Sequence, residues 1–178
     1  NDEDRRMIMP PGQPLLLPAN PLFIWFTLVL AMMVNMLPLG RVPWMPDILA
    51  VVLVFWSVHQ PLRVGVIAAF LFGLAIDVHQ ASLLGQHALA YTTLSYFAIT
   101  IHRRLLWFTV PSQAVQVLPL FAAAHAIEVA IRMLAGGAWP GPWILLAPVL
   151  EAALWPIVSI LLLLPQRRAH DPDENRPL

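Results

Sequence analysis

The sequence predicts an all-α membrane protein, a bundle of six transmembrane helices, and three observations carry that reading. Of the 178 residues, 59 % are hydrophobic and 11 % charged, with mean hydropathy +0.72. A soluble domain carries about a quarter charged residues, so this chain cannot cover its surface with polar groups. Six apolar segments follow one another, separated by proline, glycine and arginine. Eight of the ten arginines, the only basic residues besides histidine, fall on one side of the membrane when the segments are threaded as six crossings.

Residues 1–21 form a polar, Pro-rich tail in which Met7 or Met9 is a plausible natural start. The apolar segments run roughly Leu22–Leu39, Asp47–Val58, Val64–Ile76, Leu84–Ile101, Pro111–Leu134 and Trp143–Leu164. No A-x-A-like exit follows the first run, which is expected to remain as a span. Spans 1, 4, 5 and 6 approach the ~20 residues that cross the hydrocarbon. Spans 2 and 3 are shorter, and cross with help from their flanks, cross by thinning the bilayer, or form one buried re-entrant hairpin. Residues 165–178 are a second polar tail. The membrane domain is therefore 22–164.

With the N-terminus in the cytoplasm, that side holds Arg5, Arg6, Arg63, Arg103, Arg104, Arg167, Arg168 and Arg176, and the other holds Arg41 and Arg132. This is a strong positive-inside bias. Both termini are expected in the cytoplasm, and Arg103, Arg104, Arg167 and Arg168 form a basic rim. Anionic lipid is its simplest partner. The tryptophans at 25, 44, 56, 107, 139, 143 and 155 lie mostly near segment ends, as expected of interfacial anchors.

Polar residues inside the spans are few. Gly65, Ala69, Gly73 and Asp77 recur every fourth residue, so on a helix three small residues lead up to a carboxylate on one face. The small face suits close helix contact, internal or with a partner. Asp77 is either a buried acid fixing a helix pair or site, or a wet acid shaping the turn before Leu84; the turn is the expectation. His87, Tyr91 and Ser95 form a stripe suited to bonds across helices, with ligand contact as the other reading. His125, Glu128 and Arg132 share a face of span 5. Glu128 precedes Arg132 by four, the spacing of an intrahelical ion pair; a proton-relay fragment is the second reading. Glu151 either meets this stripe or sits near the outer interface. Asn35 is expected at a helix contact, and Pro119, Pro148 and Pro156 at kinks.

Several chemistries find no support. Cysteine is absent, which excludes disulfides and thiolate metal sites. There is no H-E-x-x-H, P-loop or G-x-S-x-G, and no basic stripe for nucleic acid. No catalytic, cofactor or metal residue is assigned, and no enzyme is expected.

The run MPDILAVVLVFWSVHQPLRVGVIAAFLFGLAIDVHQASLLGQHALAY resembles the signature region of MreD, a bacterial rod shape-determining membrane family. Pro46-Asp47 before an apolar span, Gly73-x3-Asp77, Leu84-Gly85, Ala88-x2-Tyr91 and Leu154-Trp155-Pro156 carry the resemblance, which covers roughly residues 20–165. It implies a non-enzymatic scaffold of the inner (cytoplasmic) membrane within the cell-wall elongation machinery. The implied partner is MreC, a single-pass protein. RodA, an elongation transpeptidase and MreB filaments follow indirectly, in support of lateral peptidoglycan synthesis. The resemblance also implies a fold like the S components of vitamin transporters. That leaves a rival reading, a small-molecule carrier with a pocket lined by Asp77, His87, Tyr91 and Glu128.

Overall fold

The computed structural model describes residues 19–40 and 42–166; the tail arginines Arg167 and Arg168 and the loop residue Arg41 lie outside them. Among the described residues there are six α-helices and no strand: α1 Pro21–Met36, α2 Ile48–His59, α3 Val66–Gln80, α4 Gln86–Leu105, α5 Val110–Leu134 and α6 Leu146–Leu163, the last entered through a 3-10 turn, Pro142–Leu145. Two stretches, Val110–Leu134 and Pro142–Gln166, are long and apolar enough to cross a membrane by length and composition.

The helices start where the sequence offers a cap. Asn20 accepts a hydrogen bond from the Leu22 N–H (2.9 Å) and opens α1 with Pro21 at its first position. Asp47 accepts from the Ala50 N–H (3.0 Å) and opens α2. Pro148 falls in the first turn of α6, where its missing N–H removes no helix bond, whereas Pro119 and Pro156 sit inside α5 and α6.

Helix α2 is the centre of the bundle. Every residue from Leu49 to Val58 is buried, and α1, α4 and α6 pack around it. A helix apolar on all sides belongs inside a larger body. At 1.5 Å per residue its 12 residues span about 18 Å, well short of the ~30 Å hydrocarbon core. Helices α3, α4, α5 and α6 follow one another in contact, and α1 leans on α2 and lightly on α3.

Five of the seven tryptophans are exposed, as anchors should be, but Trp56 and Trp155 are fully buried. Their indole N–H groups explain the exception. Trp56 donates to the Thr27 hydroxyl (2.9 Å) and Trp155 to the Gln113 side-chain oxygen (3.2 Å). A tryptophan whose one donor finds a partner can serve as core.

Candidate functional site

The small-residue face resolves into unequal members. Gly65 precedes α3 as its N-cap, and a Cβ there would meet nothing within 4 Å. Ala69 is buried. Gly73 is the point of closest approach: a Cβ there would stand 2.4 Å from the Ala88 Cα. The close contact is thus internal, between α3 and α4, with backbone that cannot rotate away.

That approach brings Asp77 to the start of α4, where it is 1 % exposed. Its Oδ1 accepts from the Ser82 hydroxyl (2.9 Å), the His87 N–H (2.9 Å) and His87 Nδ1 (2.8 Å). Its Oδ2 accepts from the N–H groups of Gly85 (2.9 Å) and Ala88 (3.3 Å). Helix α4 has no side-chain cap of its own, because its N-cap is Gly85, held at φ +103 where glycine is unstrained. A carboxylate from the preceding helix therefore does the capping, and its charge faces the positive end of the α4 dipole. Asp77 shapes the turn between α3 and α4, but as a buried group; the wet reading is corrected. The helix runs to Gln80, past the expected end at Ile76, which is what draws the acid inward.

Asp47 is the second centre, and the sequence reading passed over it as part of a motif. Its Oδ1 accepts from Asn35 Nδ2 (2.5 Å) and the Ala50 N–H, and its Oδ2 from the Tyr91 hydroxyl. Its own N–H donates to Glu151 Oε1 (2.9 Å), and the Ile48 N–H donates to Asn35 Oδ1 (3.1 Å). The available signal was an aspartate directly before an apolar run, the ordinary mark of a helix N-cap.

Between these centres lies a chain of alternating acids and imidazoles. His87 Nε2 is 3.9 Å from Glu128 Oε2. His125 Nδ1 is 3.6 Å from the same oxygen, and His125 Nε2 is 2.7 Å from Glu151 Oε1. Asp77, His87, Glu128, His125 and Glu151 thus link α3, α4, α5 and α6 in sequence, and Asp47 ties the chain to α2 and, through Asn35, to α1. Glu151 is fully buried, with Oε2 lacking a hydrogen-bond partner.

The expected Glu128–Arg132 ion pair is absent among the described residues. Glu128 turns inward to the two histidines. Arg132 is exposed one turn nearer the helix end, where its stem lies against Gly137. The histidines face Glu128 from the packed side of α5, whereas Arg132 can keep its charge in water. Deeper in the bundle, Ser95 extends the α4 stripe by bonding to Ser57 of α2 (2.9 Å). Arg103 and Arg104 are exposed in the last turn of α4, at the opposite end from the acids.

No group of three or more His, Asp or Glu side chains suited to a metal ion occurs among the described residues. Buried acids and imidazoles in lipid are costly alone, and here nearly every one meets a partner on another helix. No solved structure matches the chain. A family model described as rod shape-determining protein MreD matches residues 17–164. Most of the chain is covered, the region that carried the resemblance included, and the protein belongs to the MreD family of rod shape-determining membrane proteins.

Proposed function

We propose that this protein is a non-enzymatic scaffold that crosses the membrane six times with both ends in the cytoplasm. In this reading it binds an MreC-type single-pass protein and holds it within the cell-wall elongation complex, with RodA, the transpeptidase and MreB reached indirectly. The observation that supports the reading best is where the polar groups are directed. Asp47, Asp77, His87, Tyr91, His125 and Glu151 all bond to another helix of the same bundle. Such a bundle is a firm body whose outer helix faces are free for apolar contact. A family of shape-determining proteins requires no more chemistry than that.

The carrier reading has less support. The two described grooves lie along α1 and α3, and none of Asp77, His87, Tyr91 or Glu128 lines them. The test is capture in mild detergent from cells that coexpress the MreC-type protein. Equimolar recovery of the single-pass partner is expected. A folded chain that recovers none, or one that retains a vitamin-sized molecule instead, overturns the proposal.

A further inference from the structure

The groove between α1 and α3 has a composition that specifies an occupant. It measures about 660 Å³ and is lined by apolar side chains, Trp25 and Met32 from α1 and Leu71, Phe72 and Ala75 from α3, with Arg63 at one end. Along it α1 and α3 touch only lightly, and Trp25 stacks on Phe72 with ring centroids 6.5 Å apart. From Val66 to Ala75 the lining follows ten residues of α3, about 15 Å at 1.5 Å per residue. That is the depth of one leaflet, half of a ~30 Å hydrocarbon core.

The charge at the mouth is one-sided. Arg63 is exposed, and none of the carboxylates in ion pairs among the described residues pairs with it. Asp47, Asp77, Glu128 and Glu151 are all engaged at the other end of the bundle. Beside Arg63, α3 begins at Gly65 with no side-chain cap and no acidic residue in its first turn, so its amide end adds positive potential.

We propose that this groove binds an anionic phospholipid from the leaflet on the arginine side, with the phosphate at Arg63 and an acyl chain along Phe72 toward Ala75. A guanidinium at the mouth selects the headgroup charge, and the apolar wall takes the chain. Bulk lipid gathers around any apolar helix, but a groove of this depth below one arginine holds a lipid in a fixed place.

The test is native mass spectrometry of the detergent-purified full chain titrated with phosphatidylglycerol, or with phosphatidylcholine of the same acyl chains. One lipid is expected to bind, with phosphatidylglycerol favoured by about fivefold, the effect of one arginine near a surface. Arg63→Gln removes that preference, whereas the paired change Arg103→Gln with Arg104→Gln leaves it. Ala75→Trp, which fills the far end of the groove, weakens both lipids. Each variant is first checked for native helicity by circular dichroism, and a second filling variant, Ala68→Leu, replaces Ala75→Trp if that one does not fold. A photo-crosslinker at Leu71, in membranes holding the single-pass partner, is expected to label lipid. Equal affinity for the two lipids, loss of preference only with the Arg103/Arg104 change, displacement of the lipid by inorganic phosphate, or a crosslink to a partner helix would each overturn the assignment.

Discussion

The two ends of this bundle handle charge in opposite ways. At the end where α2, α4 and α6 begin, four carboxylates and two imidazoles are buried or half-buried and linked across all six helices, directly or through Asn35 and Tyr91. At the end where α3 and α5 begin, Arg63, Arg103 and Arg104 are exposed, and the last-turn arginines of α4 complement its dipole. A short acid cannot reach water from inside a bundle and must find partners there, whereas a long arginine carries its charge outward. One end is therefore expected to govern folding and the other to govern contacts with the surface of the membrane.

That division can be broken in steps, from its strongest element outward. Asp77→Ala strips the cap of α4 and leaves three N–H groups and His87 without an acceptor. Removing one partner of a buried charged pair costs about 3–5 kcal/mol, so this variant is expected to lose most of its folded population in a detergent unfolding titration. A native titration curve would place the acid in water after all. Gly73→Ala is expected to cost about 1–3 kcal/mol by overpacking against Ala88 backbone. Gly65→Ala, on the same stripe, is expected to be silent in the same assay. Equal effects at both positions would restore the uniform small face that the sequence suggested.

Smaller effects sharpen the comparison. Ser95→Ala removes a single bond to Ser57 and is expected to cost about 0.6 kcal/mol, typical of interhelical hydrogen bonds in membranes. The paired change Arg103→Gln with Arg104→Gln is expected to stay within about 0.5 kcal/mol, while lowering the affinity of the protein for anionic vesicles. A destabilisation as large as that of Gly73→Ala would show that the arginine end also holds the fold.

Much of the architecture was legible because its signals are local. Apolar runs, with the Pro, Gly and Arg that separate them, mark six helices to within a few residues. The stripe of His87, Tyr91 and Ser95 was visible for the same reason, since residues four apart share a face. Its partners were not. Asp47 and Glu151 are 104 positions apart, and nothing local to either one names the other. The Glu128–Arg132 pairing failed in part on the same ground: of the two histidines that Glu128 turns to, His125 shares its helix but His87 stands on another. Trp56 and Trp155 were read as anchors by position along the chain, which carries no information on which side of a helix faces the core.

The central claim is that the buried network is architecture and not chemistry, and Glu128 tests it most directly. It has the longest contacts in the network, 3.6 and 3.9 Å, yet it stands in the middle of the acid and imidazole chain, where a proton relay would need it. The measurement is restoration of rod shape in cells lacking the native protein, by Glu128→Gln expressed at the native level and confirmed to be folded. The predicted result is rods of normal width. Spherical cells carrying a folded, normally abundant Glu128→Gln protein would contradict the account.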